Sequence, residues 1–156
     1  MAKAILVSAC LLGLNTRYSG QTKYNPRVVE FLHQHGYLPI PVCPEQLAGL
    51  PTPRPATEFT VGDGHSVLNG KGQLTTQAGD DVSSQLCNGA KETLKIAALT
   101  GCTIAILKER SPSCGVHWIY RQGELQSGSG VAAALLQQQQ IRVLSEEDLG
   151  EELSFE

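Results

Sequence analysis

Long hydrophobic runs are absent from this sequence. No apolar stretch approaches the roughly 20 residues that a membrane-spanning helix needs. The first apolar segment, residues 4–9, is too short and too lightly flanked by charge for a signal peptide. A membrane protein or a secreted protein is therefore not expected, and we predict a cytoplasmic protein.

Positive charge is also scarce. The chain has 12 Lys and Arg against 15 Asp and Glu, which gives a net charge of −3. A basic face that grips phosphate backbones is therefore not expected, and nucleic acid is not a predicted partner. Charged residues make up only 17% and aromatic residues only 5%, whereas 16 glycines and 8 prolines provide many tight turns. A length of 156 residues with 41% hydrophobic residues predicts a single domain over residues 1–156.

Several familiar site motifs are missing. The five cysteines include no close C-x₂₋₄-C pair of the kind that binds structural zinc. The sequence also lacks G-x-S-x-G, a phosphate loop and a dinucleotide-binding fingerprint, which disfavours a covalent hydrolase or a nucleotide-binding protein. An odd number of cysteines in a cytosolic chain indicates free thiols or metal ligands before disulfides.

Short β-rich runs alternate with helical patterns along the chain. Strands are predicted at 4–9, 37–42, 103–107 and 141–144, with helices at 26–36, 81–100 and 131–139. Four prolines exclude a regular helix or central strand from 44–55. Residues 59–76, with Asn69-Gly70, predict an irregular hairpin, and 118–125 a small hairpin about Gly123. The order predicts a Rossmann-like α/β domain whose open, mainly parallel sheet has helices on both faces.

Three of the cysteines follow predicted strands. Cys10 comes directly after the first strand, Cys43 after the second, and Cys114 in the loop after the third. Because the carboxyl ends of parallel strands meet at one edge of a sheet, these three thiols are expected to converge. Cys102 precedes the third strand, and Cys87 lies within the long helix, so both are predicted to be small core residues.

Three convergent thiols permit more than one metal site. They suit a catalytic zinc with a bound water, or an iron–sulfur cluster with one iron that lacks a protein ligand. His117 is a possible fourth ligand, although a plain loop histidine is the preferred interpretation.

The neighbours of the thiols suggest further chemistry. Glu45 lies two residues after Cys43 and is a candidate general acid or base. Arg54, on a stiff proline-rich segment, can orient a carbonyl or carboxylate, or pair with Glu58. The hydroxyls of Ser111 and Ser113 are placed to hydrogen-bond a substrate or a cluster sulfur, or to cap the loop backbone.

A combination of motifs resembles the thiouracil desulfurase family. The motifs are Ser8-Ala9-Cys10-Leu11-Leu12-Gly13, Arg17-Tyr18, Val42-Cys43-Pro44-Glu45, Gly49-Leu50-Pro51-Thr52-Pro53-Arg54-Pro55, Leu107-Lys108 and Ser111-Pro112-Ser113-Cys114-Gly115. Weaker matches at Gly89-Ala90, Gly130-Val131, Ala134-Leu135-Leu136 and Ser145-Glu146 extend the resemblance over nearly the whole chain up to about residue 148. The sequence departs from the family pattern at Ser19, where an acidic residue often follows the Arg-Tyr pair.

The resemblance implies a cofactor and a reaction. It implies a [4Fe–4S] cluster held by Cys10, Cys43 and Cys114, whose open iron binds the sulfur of a thiolated pyrimidine such as thiouracil. The implied reaction replaces C=S by C=O and releases sulfide without net oxidation or reduction. Glu45 matches the family's candidate proton-handling glutamate, and Ser111 matches a serine near the extra sulfur; Ser113 is predicted to assist.

Two other functions remain open from the sequence. The first is a cluster-binding redox or iron sensor without turnover, which releases no sulfide from a thiouracil. The second is a desulfurase that prefers thiolated nucleosides to the free base.

Overall fold

The computed structural model describes residues 2–150. Its strands are β1 (Lys3–Ser8), β2 (Tyr37–Val42), β3 (Thr57–Val61), β4 (Gln73–Thr76), β5 (Ile104–Leu107), β6 (Trp118–Arg121), β7 (Glu124–Ser127) and β8 (Arg142–Ser145). Its helices are α1 (Pro26–Gln34), α2 (Pro44–Leu47), α3 (Gly64–Leu68), α4 (Ser83–Thr100) and α5 (Val131–Gln138). Short 3₁₀ helices span Ala9–Leu12 and Glu146–Asp148. No helix in the described range is long and apolar enough to span a bilayer.

Local signals in the sequence set the helix ends. The Asn25 side chain accepts a hydrogen bond from the backbone N–H of Arg27, and Pro26 occupies the first position of α1. Helix α4 ends at Gly101, whose φ of 69° is the left-handed conformation that glycine adopts without strain. Ser145 and Asp148 form the reciprocal cap expected from their spacing.

The larger layer is a four-stranded parallel sheet, which we call sheet A, in the order β2-β1-β5-β8. Alternate residues of its central strands face opposite sides, as the pleat requires. Ile5 and Val7 pack with Phe31 of α1 on one face. Leu6 packs with Leu136 of α5 on the other. The predicted parallel sheet with helices on both faces is confirmed.

The structure contains a second sheet that the sequence does not predict. Strands β4-β3-β6-β7 form sheet B, a mixed sheet in which β3 and β6 are parallel and the outer pairs are antiparallel. Helices α4 and α5 lie between the two sheets, and Leu86 of α4 packs with Phe59 and Ile119 of sheet B. The predicted hairpin about Gly123 is confirmed as β6-β7.

The irregular hairpin predicted over residues 59–76 is confirmed, because β3 and β4 pair in antiparallel fashion. Their connection contains α3, and Asn69-Gly70 ends that helix instead of forming the hairpin turn. The exclusion of a helix from residues 44–55 was wrong. Residues 44–47 form the short helix α2 despite the prolines that follow. A proline at the first helical position costs no hydrogen bond, because that N–H has no partner within the helix.

Strand β2 lies at one edge of sheet A. It carries Pro39 and Pro41 at alternate positions, in register with Ile5 and Val7 of β1. Proline lacks the N–H that pairing requires, so within sheets it is tolerated where that side of the strand faces solvent.

Candidate functional site

A cavity of about 650 Å³ lies at the carboxyl edge of sheet A. Along the chain, β2 is added on one side of β1 and β5 on the other, so the strand order reverses beside β1. Ligands of open α/β sheets bind at such a reversal. The cavity is lined by the three convergent cysteines and by the candidate catalytic residues: Cys10, Cys43, Glu45, Ser111, Ser113 and Cys114.

The three thiols arrive from three different connections. Cys10 lies in the 3₁₀ helix after β1, Cys43 caps the start of α2, and Cys114 lies in the loop between β5 and β6. That loop turns tightly at Gly115, where a Cβ atom would lie 2.6 Å from the carbonyl oxygen of Trp118. Only glycine allows the backbone this approach.

Burial suppresses the ionisation of two of these thiols. It raises the pKa of Cys10 to about 11 against the opposing effect of Lys108. It raises the pKa of Cys114 to about 12, although hydrogen bonds from the serine neighbours favour the thiolate. Such thiols are protonated at neutral pH unless a metal centre takes the place of the proton, so metal binding there releases protons.

Glu45 is a buried carboxylate on α2 with partners on both oxygens. Its Oε1 is 3.2 Å from Nε of Arg54, and its Oε2 accepts a hydrogen bond of 3.2 Å from Oγ of Ser113. The predicted pairing of Arg54 with Glu58 is wrong, because Arg54 pairs with Glu45. Glu58 instead accepts the N–H of Gly123, with a distance of 3.1 Å.

The guanidinium of Arg54 also reaches the thiol side of the cavity. Its Nη2 donates to the carbonyl of Thr16 at 2.9 Å and lies 4.0 Å from Sγ of Cys43. Cys43 contacts the same carbonyl, at 3.6 Å. Arg54 therefore connects the carboxylate of Glu45 to one of the thiols. The Thr16 carbonyl is a feature that no sequence signal marks, because any residue type could supply it.

The two serines of the Cys114 loop differ in their contacts. Ser111 Oγ accepts the backbone N–H of Ser113 and of Cys114, at 3.2 and 3.0 Å, so it caps the loop. Ser113 Oγ bonds to Glu45 and lies 3.7 Å from Sγ of Cys114. Ser113 thus joins the carboxylate to a second thiol, and the two hydroxyls lie 3.2 Å apart.

The start of α5 supports this loop from behind. The N–H groups of Ala132 and Ala133 donate to the carbonyl of Ser113, and that of Val131 donates to Pro112. A Cβ atom at Gly130 would lie only 2.7 Å from the same Ser113 carbonyl oxygen. The glycine-rich stretch before α5 is thus a packing element of the Cys114 loop, and its amides already have acceptors.

The other sulfur and imidazole groups lie elsewhere. Cys102 is buried in the core between sheet A and its helices, and Cys87 packs against the core beside sheet B. Neither lines the cavity. His117 points away, with Nε2 at 2.9 Å from Asp148 Oδ2. The predicted core role is confirmed for Cys102, whereas Cys87 is only half-buried and packs against the edge of the core. The interpretation of His117 as a loop residue is confirmed.

The donor set suits a cluster better than a single ion. Within residues 2–150, no three His, Cys, Asp or Glu side chains are grouped closely enough to hold one metal ion. The cavity offers three thiols from separate connections, and the described residues that line it include no histidine or further cysteine. Three thiolates and no fourth protein ligand fit an iron–sulfur cluster with one open iron.

Comparison with known proteins agrees with this geometry. The family model described as 2-thiouracil desulfurase matches residues 5–148. The chain belongs to the 2-thiouracil desulfurase family. A relative from Bacillus subtilis (strain 168), the uncharacterised protein YbbK, is 40% identical over 150 residues, which cover 94% of this chain and 98% of that protein.

A solved structure of similar fold carries a described activity. The structure is that of the [4Fe-4S]-dependent thiouracil desulfidase TudS, with a TM-score of 0.81 and 38% identity. The match covers 94% of this chain and 93% of that one. The part of the chain matched by the 2-thiouracil desulfurase model includes all three cavity cysteines. Ser19, where this chain departs from the family pattern, is exposed and does not line the cavity.

Proposed function

We propose that this protein, as a single domain over residues 1–156, catalyses the [4Fe–4S]-dependent conversion of thiouracil to uracil with release of sulfide. The observation that carries the proposal is the meeting of three thiols, from Cys10, Cys43 and Cys114, in one cavity. Family membership and the likeness to TudS support the same activity.

The three cysteines are proposed to hold the cluster as thiolates. When bound there, the cluster supplies an iron without a protein ligand, a Lewis acid to which a soft sulfur atom of the substrate binds. Charges on the protein suit this role, because Lys108 acts on Cys10 and Arg54 approaches Cys43. Positive charge beside a thiolate favours its ionised, metal-binding form.

Glu45 is proposed to act as the base. Both of its oxygens accept hydrogen bonds, from Arg54 and Ser113, and that pattern fits an ionised carboxylate able to take a proton. A water attacks the C=S carbon of thiouracil, and Glu45 takes one of its protons. The C–S bond then breaks as C=O forms, and the second proton of the water and the proton held by Glu45 pass to the departing sulfur. Thiouracil and water thus give uracil and hydrogen sulfide with no net electron transfer, and Glu45 returns to its carboxylate form. Ser111 and Ser113 are proposed to provide hydroxyls for the departing sulfur, with that of Ser113 beside the thiol of Cys114.

A cytoplasmic location is part of the proposal. All five cysteines are free in the structure, although oxidising compartments favour disulfides. Cell fractionation checks this directly: the protein belongs in the cytoplasmic fraction, and recovery from a periplasmic or secreted fraction would contradict it.

The activity is tested by anaerobic reconstitution with iron and sulfide, followed by metal counting, a visible absorption spectrum and an assay of sulfide from thiouracil. We expect about four irons per chain and sulfide release. Replacing Cys10, Cys43 or Cys114 by Ala should abolish the cluster, whereas Cys87→Ala and Cys102→Ala should keep it. A loaded protein that releases no sulfide would favour the sensor function, and faster turnover of 4-thiouridine than of the free base would favour a nucleoside substrate.

A further inference from the structure

Glu109 is a buried carboxylate that the proposed reaction does not use. It lies two residues after the end of β5 and is only 1% exposed. Its Oε1 accepts the backbone N–H groups of Val116, His117 and Trp118 at 2.7, 2.9 and 3.0 Å. Its Oε2 has no hydrogen-bond partner among the described residues.

These bonds complete the backbone pairing of the loop that carries Cys114. The N–H groups of Ser113 and Cys114 donate to the Ser111 hydroxyl, and that of Gly115 donates to the Ser111 carbonyl. Glu109 receives the next three N–H groups. Every amide from residue 113 to residue 118 therefore donates to either Ser111 or Glu109.

Oε1 also receives the backbone N–H of Arg110, at the longer distance of 3.4 Å. One oxygen on which four N–H groups converge calls for a carboxylate. Charge-assisted bonds are about twice as strong as neutral ones, and the converging amide dipoles offset the burial of the negative charge. An amide or hydroxyl side chain offers its oxygen without this charge. No other side chain donates to or accepts from the amides of residues 116–118 in the described structure.

We propose that Glu109 is the positioning residue of Cys114. Its carboxylate holds the returning half of the loop, residues 116–118, so that the thiol of Cys114 stays in the cavity beside Cys10 and Cys43. Ser113 shares this loop and bonds to Glu45, so the same carboxylate sets the distance between the base and the thiol. The inference rests on the proposed function, because it takes Cys114 as a cluster ligand.

The test compares the reconstituted enzyme with its Glu109→Ala and Glu109→Gln variants. Hydrogen exchange is followed by mass spectrometry in the peptide that contains residues 110–118, and iron loss is followed under a chelator. In Glu109→Ala we expect exchange of these amides at least about tenfold faster, together with faster iron loss. Glu109→Gln should restore part of the protection, because its amide oxygen still accepts the three N–H groups while its NH₂ lacks an acceptor.

A matched control separates positioning from general destabilisation. Leu74→Ala removes a fully buried side chain of sheet B, away from the cavity lining. This variant should lower the melting temperature, but hydrogen exchange in the peptide of residues 110–118 should not speed up more than in the rest of the chain. Equal exchange in Glu109→Ala and Leu74→Ala, at equal melting temperature, would overturn the inference. If instead Cys114→Ala keeps its cluster, the proposed function fails, whatever the exchange data show.

Discussion

The buried ion pair between Arg54 and Glu45 gives a prediction whose size follows from the structure. The side chains are only 4% and 12% exposed. The change Arg54→Gln leaves the carboxylate of Glu45 buried without its cation and removes the donor to the Thr16 carbonyl. Breaking a buried pair from one side costs about 3–5 kcal/mol. In a domain of this size each kcal/mol lowers the melting temperature by about 2–4 °C, so a fall of about 6–20 °C is expected.

The control is an arginine in an exposed pair. Arg110 lies 2.7 Å from Glu147, and their side chains are 36% and 48% exposed. An exposed pair contributes about 0.2–1 kcal/mol, so Arg110→Gln should shift the melting temperature by no more than about 4 °C. Both variants are unfolded by heat and by urea under anaerobic conditions at equal iron content, with circular dichroism as the signal. Equal effects of the two substitutions would refute the argument that burial decides the cost.

Three further predictions follow from the site and its supports. At pH 8, iodoacetamide should label Cys10 about 100-fold and Cys114 about 1,000-fold more slowly in iron-free folded protein than in urea, because burial raises their pKa from 9.0 to about 11 and about 12 and so removes the thiolate. Both labelling rates in the folded protein should rise about tenfold per pH unit up to pH 9. Equal labelling rates in folded and urea-unfolded protein would contradict these pKa shifts. Gly89→Ala should lower the free energy of unfolding in urea by about 1–3 kcal/mol and should also lower activity, because the added Cβ would clash with the Pro44 carbonyl beside Glu45. The control Asn88→Ala, on the exposed side of α4, should change neither stability nor activity. His117→Ala should leave the iron count and sulfide release unchanged, because its ring bonds to Asp148 outside the cavity; loss of iron would restore it as a ligand.

The parallel sheet and the meeting of the thiols could be predicted because their signals are local. Short apolar runs identify β1 and β5, and a cysteine placed after such a strand is carried to the carboxyl edge by topology alone. Asn25-Pro26 and Gly101 fix helix ends by backbone chemistry that does not depend on the rest of the fold. These features place Cys10 and Cys114 before any contact is known.

Sheet B could not be predicted because its assembly depends on distant pairing. Strands β3 and β6 meet through Phe59 and Arg121, which are far apart in the sequence, and no local pattern specifies that contact. The position of Asn69-Gly70 at the end of α3, instead of in a hairpin turn, was also not predictable from local sequence. The same dipeptide suits a hairpin turn and the end of a helix, since both need a residue with positive φ.

The hydrogen-bond partners of Arg54 and Glu109 also could not be predicted from the sequence. The sequence names Glu58 as a partner of Arg54, and only the fold shows that Arg54 faces Glu45. From the sequence, Glu109 lies at the end of the third strand, where it could enter the site or pair with Lys108. Its role depends on three amides that return to it only once the loop to β6 has closed.

The prolines of β2 have a consequence for chains that meet one another. Pro39 and Pro41 have no backbone N–H, so two hydrogen-bond donors are missing from the outer side of β2, the strand that leads to Cys43. An incoming β-strand from a neighbouring molecule therefore finds no continuous ladder to extend along this border. A newly made chain that still awaits its iron therefore does not offer this edge of sheet A as a template for aggregation.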